Sequence, residues 1–178
     1  VLAANKTLQL PHHNPRTKGK MMSHEELFGF LEATDQDVIA FFAQAELEEF
    51  FRPADIRTSV LSYLQRPAKR LRPSVLLMAA GSLGGESKER AALPAAAGIE
   101  LFHTWTLVHD DLIDNDVLRR GGKTVHEAMA EASEKNLHLS QEDAKDYGRD
   151  IAVLTGDMQH GCSVALFSEV ALSMDVDP

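Results

Sequence analysis

The residues with the most evident chemical use stand in the run His109-Asp110-Asp111-Leu112-Ile113-Asp114-Asn115-Asp116. On an α-helix, at about 100° per residue, Asp110 and Asp114 point within about 40° of each other, so their carboxylates can share one hard cation or a small cluster. Asp111 points elsewhere and plays a supporting part. Magnesium takes a few carboxylates together with phosphate oxygens and water, so two or three aspartates on one face suit a bridge to a bound diphosphate better than a closed protein cage. Manganese suits the same oxygen donors. A solvated acidic helix end is the plain alternative. It loses ground because the carboxylates follow an apolar body, Ala91 to Val108, that must be buried, and because like charges four apart repel without a counter-ion. His103 lies nearly two full turns before Asp110, which places His103, Asp110 and Asp114 on one narrow stripe. His109 is turned about 100° from Asp110 and reads as packing or a helix hydrogen bond. His126 has no assigned task.

Two basic clusters flank this acidic one. Lys69 and Arg72 sit at the start of the helix that Pro73 opens, where backbone N–H groups and the helix dipole already favour an anion. Arg119 and Arg120 follow the acidic helix directly, and the planar guanidinium fork suits phosphate oxygens. The 178 residues carry 18 Lys and Arg against 27 Asp and Glu, a net charge of −9 that argues against a general nucleic-acid binder. In so acidic a chain, two basic clusters beside one acidic cluster suggest two diphosphate sites, one bridged by metal and one held by cations directly.

The elements that must hold these residues read as helices. Apolar residues make up 44% of the chain and aromatic ones 6%, and the apolar stretches are rich in Ala and Leu with little alternation, so the expectation is an all-α fold. Residues 1–22 hold no acid and contain Pro11 and Pro15, which predicts a mobile arm, with an organelle-targeting remnant as the lesser alternative. Ser23 and Glu26 form a capping box that starts a first helix, and a second helical segment is expected from about Asp35 to Phe51, stopped by Arg52-Pro53. A short helix over Ala54 to Gln65 and another over Ser74 to Ala80 follow, the latter ended by Gly81, Gly84 and Gly85. A longer helix is expected from about Ser87 through Asp116, with a kink at Pro94. Arg119 to Lys123 reads as a loop, Thr124 as the cap of a helix to about Ser133, Glu134 to Asp146 as a solvated connection, and Tyr147 to Met174 as a last helix. The single Cys162 excludes an internal disulfide and fits a reducing compartment, so a cytoplasmic location is expected. No apolar run reaches the roughly 18 residues of a transmembrane helix.

Ala-Lys-Arg-Leu-Arg-Pro at 68–73, Glu100-Leu-Phe-His103, His109-Asp-Asp-Leu-Ile-Asp114, Arg119-Arg120-Gly121 with Thr124-Val125-His126, and Ala152-Val-Leu-Thr-Gly156-Asp157 together resemble the ordered motifs of the trans-isoprenyl diphosphate synthases. The resemblance runs from about residue 55 to 170. It implies an isoprenoid synthase-type helical bundle around a deep central cavity, a homodimer, and head-to-tail condensation of isopentenyl diphosphate with an allylic diphosphate such as dimethylallyl, geranyl or farnesyl diphosphate. By the same resemblance Asp110 and Asp114 would bind magnesium, with Asp111 assisting catalysis. Arg119 would contact the allylic diphosphate, and Lys69, Arg72, His103 and Arg120 would form the isopentenyl diphosphate site. Trp105 and Thr106 occupy the positions before Asp110 where the family sets product length. A bulky ring at Trp105 predicts a C15 to C20 product, and the Asp-Asp-x-x-Asp spacing lacks the insertion seen in one bacterial farnesyl-type branch.

The sequence also departs from that pattern. No second aspartate-rich motif follows Asp157, so residues 23–178 are expected to be the N-terminal part of a single prenyltransferase domain, incomplete as it stands. Ala68 replaces a usual glycine and Lys123 a usual proline. Two alternatives differ in kind. A class I terpene cyclase shares the aspartate-rich helix but has no use for the Lys69/Arg72 and Arg119/Arg120 clusters. A regulatory subunit of an active synthase would be inactive alone and would alter a partner's product length.

Overall fold

A computed structural model describes residues 22–43 and 51–173, and the arm expected over 1–22 lies almost wholly outside them. Among the described residues there are six helices and one two-stranded hairpin: α1 (His24–Phe42), α2 (Ala54–Ser62), α3 (Leu71–Ala91), α4 (Leu93–Asp114), β1 (Leu118–Arg119), β2 (Gly122–Lys123), α5 (Val125–Asn136) and α6 (Gln141–Ser173). The all-α expectation holds. No helix among them is long and apolar enough to cross a membrane.

The capping box forms as expected, with the Glu26 amide donating to Ser23 Oγ at 3.2 Å and the Ser23 amide to Glu26 Oε2 at 2.7 Å. The expected division near Asp35 is absent, and α1 runs unbroken to Phe42. No Gly or Pro interrupts this stretch after Gly29. Thr34, buried, donates its hydroxyl to the Phe30 carbonyl one turn back at 2.9 Å, so its polar group is satisfied inside the unbroken helix. The end of the expected second segment, residues 44–50, lies outside the described residues.

The helix that opens α3 ends at the expected glycines: Gly85, with φ 71°, is non-helical, and a second helical piece follows it to Ala91. Two further boundaries differ. The chain then breaks at Ala92, so Pro94 lies in the first turn of α4, where its missing N–H is harmless, and kinks nothing. The expected connection over 134–146 shrinks to residues 137–140. Ser140 caps α6 through the Asp143 amide, at 3.2 Å, and donates to Asp143 Oδ2 at 2.7 Å.

α6 is the spine of the molecule and packs along α4 and α5 and across α2. Val60, Tyr63 and Leu64 from the α2 region, Leu101 and Val108 of α4, Val125 and Met129 of α5, and Ile151, Ala152 and Leu166 of α6 are all buried in one core, joined by Val38, Phe41 and Phe42 of α1. A second, smaller cluster of Phe30, Leu77 and Ala96 ties α1 to α3 and α4. The close approach of α5 and α6 depends on Gly148, where a Cβ would stand 2.2 Å from the His126 carbonyl oxygen. The hairpin places Leu118 opposite Lys123 and Arg119 opposite Gly122. Its two turn residues, Arg120 and Gly121, both have positive φ (50° and 76°), as the turn twist that joins two short antiparallel strands requires.

Candidate functional site

α4 divides its polar residues by direction. Asp110 and Asp114 are exposed on its last two turns, whereas Asp111 is fully buried. Asp111 accepts a hydrogen bond on Oδ2 from the Tyr63 hydroxyl at 2.5 Å, and on Oδ1 from both Nε, at 2.7 Å, and Nη2 of Arg119. Arg119 also donates to Asp116 Oδ2 at 3.1 Å. Hydrogen bonding to Asp111 strengthens the hold of Arg119 on its proton. Burial, and then the bond to Asp111, push the Tyr63 phenol up. The carboxylate the sequence gave a supporting part is thus the anchor of the acidic helix end, and Asp110 and Asp114 are the pair left facing outward.

A basic corner forms where α3 begins. Arg70 has φ 43°, a left-handed conformation costly for a residue with a Cβ, and its side chain is over-determined by its partners. It donates to Asp35 Oδ1 at 2.8 Å, to Glu100 Oε1, and to the carbonyls of Leu64 and of Arg66, the last at 3.3 Å. Glu100, itself buried, also accepts from Arg120 Nη2 at 3.2 Å, while Arg120 Nη1 donates to the Tyr63 carbonyl at 3.0 Å. His103, one turn along α4 and half-buried, has its imidazole pushed below the usual range by burial and then by Arg72, with Arg120 and Arg70 adding to the effect and Glu100 opposing it. Burial likewise lowers Arg120, against Glu100. Arg72, His103 and Arg120 are therefore brought together, with Lys69 and Arg72 exposed at the head of α3.

The neighbouring flank of α4 is aromatic. The Trp105 indole N–H donates to His109 Nδ1 at 3.1 Å, its ring lies 4.4 Å from the His160 ring of α6, and Phe102 packs edge-on at 5.0 Å. Of the two readings its position allowed, packing or a helix hydrogen bond, His109 thus makes the hydrogen bond. Thr106 spends its hydroxyl on the His103 carbonyl at 2.8 Å. His126 is buried with its Nδ1 unpartnered, and burial lowers its pKa. A small cavity of about 50 Å³ lined by Ile39, Phe42, Ala43, Leu61, Leu64 and Gln65 shares no residue with either cluster.

Sequence reasoning passed over Tyr63, Arg70 and His160 and gave Glu100 no role. Arg70 stands inside the basic run 69–72, and nothing in the sequence sets it apart from Lys69 and Arg72. Tyr63 and His160 gave none, because their partners are 48 and 55 positions away. No group of three metal-ligating side chains occurs among the described residues. Two outward carboxylates four apart fit a magnesium ion that completes its shell with substrate phosphate oxygens and water, and do not fit one caged by protein alone.

An outward carboxylate pair and a basic corner thus stand on one helical frame. The polyprenyl synthetase family matches residues 54–176, and the chain belongs to that family. Geranylfarnesyl diphosphate synthase of Aeropyrum pernix is 34% identical over 117 residues, 66% of this chain and 31% of that protein. Geranylgeranyl diphosphate synthase of Methanosarcina mazei is 42% identical over 87 residues, 49% of this chain and 26% of that protein. The solved geranylgeranyl pyrophosphate synthetase from the archaeon Geoglobus acetivorans superposes with a TM-score of 0.62 at 30% identity, over 84% of this chain and 40% of that one. The fold is thus the all-α isoprenoid synthase fold, and the chain spans under a third of the length of these two curated relatives.

Proposed function

We propose that the protein acts as a magnesium-dependent prenyltransferase, condensing isopentenyl diphosphate head to tail and in trans with an allylic diphosphate to give a C15 to C20 prenyl diphosphate and diphosphate. The observation that carries this reading is the single stripe of α4 on which His103, beside Arg72 and Arg120, is followed two turns later by the exposed Asp110 and Asp114. One end of that stripe is suited to hold a diphosphate by cations alone, the other through a metal.

In this reading Lys69, Arg72, His103 and Arg120 hold the diphosphate of isopentenyl diphosphate, and Glu100 keeps Arg120 in place without neutralising the corner. Arg119 contacts the allylic diphosphate through the edge it does not spend on Asp111 and Asp116. Asp110 and Asp114 hold magnesium, or manganese, with Asp111 fixing the backbone between them. When bound, the metal neutralises charge on the departing diphosphate. The allylic C1–O bond breaks with its electron pair leaving on diphosphate, C1 bonds to the terminal alkene carbon C4 of isopentenyl diphosphate to leave a tertiary cation at C3, and a proton then leaves C2 to form the new C2–C3 double bond. Cationic groups placed where charge develops lower that barrier.

Residues 23–178 form the N-terminal part of one prenyltransferase domain in this proposal, supported by the 40% share of the solved relative that they cover. Val153, Leu154, Val164 and Leu172 make an exposed apolar stripe on α6 suited to a second copy of the chain, so the active form is a homodimer, placed in the cytoplasm.

The test incubates the intact protein with labelled isopentenyl diphosphate, magnesium and, separately, dimethylallyl, geranyl and farnesyl diphosphate. A labelled prenyl diphosphate from at least one starter is expected, and no product from any of them would overturn the reading. A chain inactive alone that changes the product length of an active synthase on mixing would instead be a regulatory subunit.

A further inference from the structure

Trp105 is bracketed by two imidazoles from different helices. An indole N–H can only donate, so His109 Nδ1, at 3.1 Å, must accept, which places the imidazole proton on Nε2. That nitrogen lies 3.3 Å from the Val153 carbonyl oxygen on α6 and donates to it. His109 is therefore a strut between Trp105 and the α6 backbone, with its tautomer fixed by both ends. Room for the strut comes from Gly156, where a Cβ would stand 2.1 Å from His109 Nε2. On the ring face, His160 lies 4.4 Å from the indole at 38°, and Phe102 contacts both, at 5.0 Å from Trp105 and 5.9 Å from His160.

A tryptophan on a helix surface normally chooses among rotamers. Here the N–H is tied and a ring face covered, so the indole has one position. We propose that His109 and His160 are positioning residues that clamp Trp105 and thereby fix the depth at which an elongating prenyl chain meets the wall of its site. The proposal rests on the prenyltransferase reading above. A wall held on two sides resists the pressure of a growing apolar chain, whereas the same tryptophan unclamped would swing aside.

Two readouts test it. The emission of Trp105, isolated by subtracting the spectrum of Trp105→Phe protein, reports the clamp without any turnover, and the prenyl product profile reports its effect. His160→Ala should shift the emission to the red and add at least one isoprene unit to part of the product, while His160→Phe, which keeps a ring on the indole, should restore both. His109→Leu should behave as His160→Ala does, and His109→Asn, which keeps an acceptor near the Nδ1 position, should rescue. Unchanged emission in His160→Ala and His109→Leu overturns the clamp. Shifted emission with an unchanged product from an active protein overturns its role in product length. Absence of condensation by the unsubstituted protein overturns the reading on which the proposal rests, and the emission arm separates that failure from a failure of the clamp.

Discussion

The Tyr63 hydroxyl donates to Asp111 across 48 residues of sequence and at the same time accepts the Val125 amide at 3.2 Å, so one phenol joins the end of α2 to α4 and to the start of α5. Both residues are fully buried. Tyr63→Phe removes the donor from a buried carboxylate and the acceptor from a buried amide while leaving the packing almost unchanged. The expected cost is about 2 kcal/mol of stability, within the range for a bond to a charged group, with the helical fold kept. Urea unfolding followed by circular dichroism measures it, and a midpoint equal to that of the unsubstituted protein would contradict the anchoring role of Tyr63.

Asp110 and Asp111 are neighbours with opposite fates. Asp110→Ala and Asp114→Ala remove exposed carboxylates, so thermal stability should stay within about 0.5 kcal/mol while most turnover is lost. Asp111→Asn should instead lower stability, by about 2 kcal/mol, because Arg119 loses the buried one of its two carboxylate partners. Near-normal turnover of Asp110→Ala in saturating magnesium would rule out its metal assignment.

Replacing the Trp105 ring by a methyl group removes the largest side chain between α4 and α6 on this flank. Trp105→Ala should lengthen the prenyl product. Chromatography of the dephosphorylated products reads this directly, and an unchanged profile would place the limiting wall elsewhere.

His103 predicts a pH dependence of definite sign. Its folded pKa is lowered, by burial first and Arg72 second, below the roughly 6.5 of an unfolded chain. Between those two values the unfolded state binds more protons than the folded state. The contribution of this group to stability is therefore complete above about pH 6.5 and declines as the pH falls through the window. A diphosphate bound at the corner should reverse the shift and draw a proton in. Following the His103 ring resonance in a pH titration, with and without isopentenyl diphosphate, checks both statements. A midpoint at or above the unfolded value without ligand would contradict the first.

Gly148→Ala places a methyl group against backbone on α5, which cannot rotate away as a side chain can. The expected penalty is about 3 kcal/mol or more, the high end for overpacking, measured as a fall in Tm. Gly161→Ala on the same helix meets open space and is the matched control, expected to be neutral or slightly stabilising.

Much of the architecture was legible because helical periodicity and local caps are written in short stretches of chain. The shared direction of Asp110 and Asp114 and the divergence of Asp111 from them followed from 100° steps alone, whereas the burial of Asp111 did not. The misplaced boundaries were cases of local signals weighed wrongly. Asp35 suggested a new helix start but is a partner for Arg70, and Pro94 suggested a kink but sits where a helix begins. The polar run before Tyr147 hid a Ser140/Asp143 cap. What no local pattern could carry was the long-range pairing. Arg70 looks no different in sequence from Lys69 or Arg72, and only the approach of Glu100 and Asp35 turns it into the buried member of the trio.

The hairpin has a consequence for how this site can change. Arg119 and Arg120 are adjacent, yet the mirror-type turn at Arg120-Gly121 sends one toward Asp111 and Asp116 and the other toward Glu100 and the Tyr63 carbonyl. Adding or deleting a single residue before the turn would bring the wrong arginine to each station, altering both polar clusters at one stroke. The spacing of this turn is therefore a reading frame for charge, far less tolerant of a change in length than of a change in the exposed side chains beside it.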